Sequence, residues 1–239
     1  MSRVRRAGKI AAELLLRPLG VRMVAADWGP RGYVQCFRRM RMRGVIPATI
    51  IDVGASDGRW TGECRSVFPD AGYALFDPLP ENRAALERLA DDVPSISVWN
   101  GALGAQCGRL RLHAHGDQSS YFGSDDFSGE PIDVEMRTLD SFLEPMAFKG
   151  PMLIKADVQG YELEVLRGAA RCLEMTEVLL LELSFRQTYR DSPLAHDVIA
   201  EVARAGFRIY DICSYAQYSG SELDQADVVF ARANSALFS

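Results

Sequence analysis

Ile50-Ile51-Asp52-Val53-Gly54-Ala55-Ser56-Asp57-Gly58 runs from an apolar segment of strand length into a turn with two glycines, and residues 58–68 beyond it have helical spacing. A buried strand feeding a helix through a glycine turn is the opening unit of a parallel α/β sheet. Gly54 and Gly58 allow a tight turn with close backbone approach, and the N–H groups at the start of the helix can hold an anionic group. The spacing is G-x-x-x-G, without the middle glycine of G-x-G-x-x-G, so it suits an amino-acid carboxylate better than a pyrophosphate.

Outward from this turn, strand-length apolar runs alternate with amphipathic stretches. YALFD (73–77) reads as a strand, PENRAALERLA (80–90) as a helix and SISVWNGAL (95–103) as a strand again. GRLRLHAH (108–115) and PIDVEMR (131–137) look like an inserted hairpin pair, joined by a polar, glycine-rich link over 116–130. The alternation then resumes: PMLIKADV (151–158) is a strand, YELEVLRGAARCLE (161–174) a helix, EVLLLELSF (177–185) a strand and LAHDVIAEVARAG (194–206) a helix. Right-handed crossovers place such helices on both faces of a parallel sheet. FRIYDICSY (207–215) and ADVVFAR (226–232) have only the turn-rich SGSELDQ between them, so they are expected to pair antiparallel. The expectation is an α/β fold: a class I methyltransferase (Rossmann-like) seven-stranded sheet with an antiparallel last strand, preceded by short N-terminal helices.

Asp77 ends the second strand, 23 residues beyond Gly54. An acid at that distance is placed to accept hydrogen bonds from both ribose hydroxyls. Turn, acid and reversed last strand together fit S-adenosylmethionine, with its methionine end at Gly54–Gly58 and its ribose at Asp77 and the adjoining Pro78.

Composition sets the bounds. The 239 residues are 48% hydrophobic and 25% charged, which argues for a globular chain with a sizeable core and against a disordered or collagenous one. The net charge of −5 hides a division: residues 1–45 sum to +9 and the remainder to −14. A basic helical cap over 1–45 and a catalytic body over 46–239 are therefore expected, the cap docking on its own domain or on a second subunit as a homo-oligomer, with an external anionic surface as the alternative. Five scattered cysteines without a C-x-x-C argue against a disulfide framework or a zinc site. The basic start is followed by an apolar run interrupted by Glu13 and Arg17, too short for a signal-peptide core, and no later run reaches membrane-spanning length. A soluble cytoplasmic protein is the expectation.

Five segments give a more specific resemblance: IIDVGASDGRW (50–60), ALFDPLPENRAAL (74–86), NGALG (100–104), LIKADVQGYELEVLRGA (153–169) and LLLELSFRQTY (179–189). In order and spacing they resemble the successive motifs of the FkbM family of S-adenosylmethionine-dependent methyltransferases, the K-x-D-V-x-G-x-E-x-x-V-L-x-G run from Lys155 to Gly168 being the most diagnostic. The resemblance implies methyl transfer to oxygen on a saccharide, polyketide or related secondary metabolite. It carries cofactor roles to Asp52, Gly54, Ala55, Ser56, Asp57, Gly58 and Asp77, and places the adenine at Ala102 and Leu103. In the family a polar stretch comparable to Gln118, Ser119 and Ser120 lies near cofactor or acceptor. Gln159 departs from the Glu of many relatives, so no acid or metal ligand is expected there.

An unactivated hydroxyl is a poor nucleophile at neutral pH, so a group must take or share its proton. Candidates belong at the carboxyl ends of strands, where ligands of open α/β sheets bind. Asp157 ends the fourth strand, with Lys155 two residues earlier on the same face. A charged pair in the apolar MLIKADV costs desolvation unless it is used or partnered. Asp157 is expected to orient or deprotonate the acceptor hydroxyl or to fix the cofactor's amino group; a structural pair with Lys155 is the alternative. Glu182, interrupting LLLELSF, is the second candidate base or an acceptor ligand. Glu162 is explained by the helix dipole alone. A divalent metal could act as a Lewis acid through Asp157 and Glu182, but no third ligand is found and none is expected. His113 and His115 suit a surface or lid role, and His196 a structural one. Other readings are a nicotinamide oxidoreductase, disfavoured by the missing glycine, and a non-catalytic cofactor-binding scaffold of a glycan-assembly complex. A nucleic-acid substrate is disfavoured by the acidic body and by KADVQG (155–160) standing where an Asn/Asp-Pro-Pro-aromatic signature is expected.

Overall fold

The computed structural model describes residues 32–112, 131–187, 192–217 and 222–239. Its centre is a seven-stranded sheet. In chain order the strands of the fold are β1 (Thr49–Val53), β2 (Gly72–Phe76), β3 (Ile96–Trp99), β4 (Ala102–Leu103), β5 (Gly108–Leu112), β6 (Ile132–Arg137), β7 (Met152–Ala156), β8 (Thr176–Ser184), β9 (Phe207–Ala216) and β10 (Gln225–Arg232). The large sheet runs β3-β2-β1-β7-β8-β10-β9. β1, β2, β3, β7 and β8 pair parallel, and β10 is antiparallel to both β8 and β9. The reversed strand is the last one, as the missing crossover helix between residues 215 and 226 required.

Successive residues of the strands feed two separate apolar layers. Ile51 and Val53 of β1 pack in one with Phe76, Ile154 and Leu181, while Ile50 packs in the other with Leu75, Leu153 and Leu180. Helices α4 (Glu162–Arg167), α5 (Ala170–Glu174) and α6 (Ala195–Arg204) cover the first face. Helices α1 (Tyr33–Met42), α2 (Arg59–Arg65) and α3 (Pro80–Asp92) cover the second. A sheet covered on both faces explains its near-continuous hydrophobic strands.

The compact unit that holds the sheet begins at Gly32. α1 belongs to the body because its apolar side is core. Phe37 is fully buried, with its ring centroid 6.0 Å from that of Trp60 and 5.9 Å from that of Phe68, and burying such a side chain contributes about 1.5–3 kcal/mol. Its basic side docks as well: Arg39 pairs with Asp211, and Arg43 donates to the Leu237 carbonyl at 2.8 Å. The apolar residues at helical spacing, Val34, Phe37 and Met40, lie beneath the arginines. The rest of the expected cap, residues 1–31, lies outside the described residues.

Two expected elements are broken. SISVWNGAL leaves the large sheet after Trp99 and turns at Gly101, where a Cβ would meet the Trp99 ring at 2.3 Å. β4 then joins a second sheet, β4-β6-β5, in which β5 and β6 form the expected antiparallel pair and β4 runs parallel to β6. The helix expected over 161–174 is interrupted after Arg167, and Gly168 at the break lies against the Gly104 carbonyl, 2.0 Å from where its Cβ would be. Among the described residues no helix is long and apolar enough to cross a membrane.

Candidate active site

Two adjoining cavities open at the carboxyl ends of β1, β2, β7 and β8. The first, about 280 Å³, is walled by Phe76, Pro78, Ala102 and Leu103 with Asp77 at its side. The second, about 360 Å³, is walled by Tyr33, Trp60, Lys155 and Asp227. Gly54, Ser56, Asn82, Asp157 and Glu182 line both.

Gly54 makes the junction. It sits at φ 74, and a Cβ there would fall 2.0 Å from the Asp157 carbonyl oxygen, so the ends of β1 and β7 can approach this closely only around glycine. Gly54→Ala is expected to lower the melting temperature, because either the left-handed backbone or the β7 loop must give way; a thermal melt checks it. Ser56 N–H donates to Asp77 Oδ2 at 2.8 Å, tying the turn to the acid on β2. Leu79 N–H and Asn82 Nδ2 both donate to Asp77 Oδ1 at 3.0 Å. Burial raises the Asp77 pKa and these hydrogen bonds oppose the rise. A carboxylate accepts about four hydrogen bonds, so Asp77 keeps capacity for a ribose.

The other expected residues divide between the cavity walls and the structure beneath them. Asp52 is fully buried and lines neither cavity; it accepts from Thr61 Oγ1 at 2.6 Å and from Lys155 Nζ at 3.0 Å. Gly58 also lines neither: it starts α2 at φ 79, and a Cβ would meet Leu89 at 2.8 Å. Asp57 lines the second cavity and accepts the Arg59 N–H at 3.0 Å at the start of α2. Ala55 lines the second cavity, and Pro78, Ala102 and Leu103 the first. Gln118, Ser119, Ser120, His113 and His115 lie outside the described residues.

Lys155 pairs closely with Asp52, at 3.0 Å, and more loosely with Asp157, whose Oδ2 is 3.7 Å away. Its ammonium also donates to the Gly54 carbonyl at 2.9 Å, fixing the turn from below. Burial works to lower the Lys155 pKa, but the Asp52 and Asp157 carboxylates outweigh it and hold the group above the ordinary lysine value. Lys155 is therefore a fixed cation, unsuited to accept a proton.

Asp157 is a third exposed and accepts from Gln159 Nε2 at 3.2 Å. Glu182 is buried deeper. Gln159 Nε2 and Gln225 Nε2 donate to its Oε2 at 3.0 and 2.9 Å. Burial, then the nearby Asp157 carboxylate, push its pKa well above the carboxylate range. The two acids thus differ: Glu182 favours its neutral form, and Asp157 faces the open junction.

The loop holding Asp157 and Gln159 is braced by Glu162, whose Oε1 accepts the N–H groups of Val158 at 3.1 Å and Gly160 at 3.2 Å. Those bonds hold Gln159 in the left-handed region at φ 53. Glu162 is therefore more than a helix-dipole residue. Burial pushes its pKa from 4.5 to about 7. Because the folded state binds this proton more tightly than the unfolded chain, stability falls as pH rises between those two values. Glu162→Gln keeps an acceptor oxygen and removes the titration, so its melting temperature is expected to exceed the wild type's by a few degrees at pH 8 and to match it near pH 4; calorimetry across that range checks this.

Three wall residues escaped the sequence reading. Asp227 stands opposite Glu182 in the β8/β10 register and accepts from Ser214 Oγ; its one trace was a lone acid at the start of an apolar run. Tyr33, whose hydroxyl donates to Glu63 Oε2 at 2.7 Å, and Trp60, at 5.8 Å between ring centroids, make an aromatic wall with no local sequence signal.

Sheet order, reversed β10 and cavities at the strand ends define the class: a class I methyltransferase domain. Residues 52–209 match the family model described as Methyltransferase FkbM domain, and the chain belongs to that family. It is 26% identical over 161 residues to the 2-O-methyltransferase NoeI of Sinorhizobium fredii (strain NBRC 101917 / NGR234), a match covering 59% of this chain and 65% of that protein. The crystal structure of Methyltransferase FkbM from Methylobacillus flagellatus KT superposes with a TM-score of 0.54 at 19% identity, covering 84% of this chain and 48% of that one. The matches thus span from about half to about two thirds of those proteins.

Proposed function

We propose that this chain is an S-adenosylmethionine-dependent O-methyltransferase acting on a hydroxyl of a saccharide or another hydroxylated metabolite. The observation that carries the reading is the meeting of an apolar cavity bearing Asp77 with a polar one bearing Asp157, Glu182 and Asp227, joined at Gly54. A buried acid beside an apolar wall suits a nucleoside, with the ribose on Asp77 and the adenine against Ala102 and Leu103. The polar cavity suits a hydroxylated acceptor. Family membership and the similarity to a 2-O-methyltransferase support transfer to oxygen.

The cofactor supplies an electrophilic methyl on a cationic sulfur that leaves as a neutral thioether. The chain's part is to align the acceptor oxygen with the C–S bond and take its proton. Positioning contributes several kcal/mol on its own. Asp157, at the junction of the two cavities, orients the hydroxyl and receives the proton as the new C–O bond forms. Glu182, whose burial beside Asp157 favours the protonated form, donates from its carboxyl to the acceptor and holds Gln159 in place. Lys155 fixes Asp52 and the Gly54 carbonyl throughout.

Equilibrium titration separates this reading from an oxidoreductase. One S-adenosylhomocysteine per chain is expected to bind and NAD is not; saturable NAD binding with no homocysteine-cofactor binding would overturn the assignment.

A further inference from the structure

Away from the active site, among the described residues, one further cluster brings three metal-ligating side chains together: Cys36 of α1 with Asp211 and Cys213 of β9, their ligand atoms all within 4.8 Å of one another. Both cysteines are buried, Cys36 at 0% and Cys213 at 2% exposure. Their meeting is built into the strand. The β9/β10 register slips between Ile212 and Ser214, so Cys213 is the extra residue of a bulge, and bulges re-aim a side chain. The Cys213 carbonyl instead accepts the Gly32 N–H at 2.9 Å, at the start of α1.

We propose that Cys36, Cys213 and Asp211 form a structural zinc site that clamps α1 to the edge strand of the sheet. Two sulfurs and a carboxylate oxygen are a zinc donor set, and such ligand atoms lie roughly 3.3–3.8 Å apart in a tetrahedral site, so only a small contraction is needed. The carboxylate is already oriented: Arg39 pairs with Asp211 Oδ2, and the Ile212 N–H donates to Oδ1 at 3.0 Å. Such supporting contacts fix a ligand for its metal. The charges balance too. Zinc with two thiolates and one carboxylate carries −1, and the Arg39 guanidinium neutralises it, which a buried site requires. Met40 Sδ, 4.0 Å from Cys36 Sγ, completes a polarisable surround. Asp211, a third exposed, gives the path by which the ion enters and a water can take the fourth position. Binding releases two thiol protons. Because both thiols must ionise to bind the ion, uptake weakens as pH falls. The site would steady the helix that brings Tyr33 to the wall of the polar cavity.

The test uses the full chain, stripped with chelator under a non-thiol reductant and titrated with cobalt(II), then with zinc. One cobalt per chain is expected, with a sulfur-to-cobalt charge-transfer band and strong visible bands of tetrahedral cobalt, displaced by zinc; zinc also raises the melting temperature. Cys36→Ser and Cys213→Ser lose the band, while Cys64→Ser and Cys107→Ser keep it. Arg39→Gln weakens zinc about 10–100-fold. Circular dichroism of each serine variant separates loss of ligand from loss of fold, and the melting shift of the unsubstituted chain needs no variant. Uptake well below one equivalent, a band that survives in both Cys36→Ser and Cys213→Ser, or a Cys36–Cys213 disulfide in place of metal would each overturn the proposal.

Discussion

Asp157→Asn is expected to lower kcat by about 10²–10⁴-fold, the usual contribution of a positioned general base, while the Kd for S-adenosylhomocysteine stays within about twofold. The substitution keeps the size of the side chain and its hydrogen bond with Gln159, so the loop over 157–160 retains its Glu162 brace. What is lost is the carboxylate proposed to take the proton. Glu182→Gln is expected to cost far less, because glutamine resembles the neutral form that burial and Asp157 favour at this position. The ordering of the two variants assigns the base. If Glu182→Gln were the more damaging and Asp157→Asn nearly silent, the roles would have to be exchanged.

Asp77→Ala is expected to act on the other kinetic parameter, raising the KM for S-adenosylmethionine and the Kd for S-adenosylhomocysteine by about 10²-fold or more while kcat at saturation changes little. The acceptor position left on Asp77 holds one ribose hydroxyl, and a hydrogen bond to a charged group contributes about 1.5–3 kcal/mol, up to about 10²-fold in binding, to which the loosened turn adds. Asp77 also receives the Ser56, Leu79 and Asn82 donors, so its removal frees the glycine turn as well. Asp77→Asn, which keeps one acceptor oxygen, is expected to fall between the two. A kcat collapse in Asp77→Ala with unchanged cofactor affinity would show that the acid serves chemistry and not the ribose.

Much of this was legible from residues alone. The strand–turn–helix at 50–58, the strand–helix alternation that follows it and the absence of a helix between residues 215 and 226 were enough for a seven-stranded, mainly parallel sheet with a reversed last strand. Each of these signals is local. Illegible features depended on convergence over long distances in the chain. Asp52 sits in the cofactor motif yet serves Lys155 and Thr61 beneath it. Asp227 reaches the site because β10 pairs with β8 in one register. Tyr33 reaches the site because the apolar stripe of α1 outweighs its arginines in deciding where the helix packs. Cys36 and Cys213 come together only through a bulge, which leaves no pattern in spacing.

The central claim is methyl transfer from S-adenosylmethionine to oxygen. It is tested most directly by incubating the full chain and S-adenosylmethionine carrying a ¹³C-labelled methyl with an extract of source cells lacking the gene, which retains the unmethylated acceptor. The account predicts a new methoxy carbon resonance, formed by the unsubstituted chain and reduced by Asp157→Asn in proportion to its kcat. Label appearing on nitrogen, or a chain that binds the cofactor yet leaves the extract unlabelled, would contradict it.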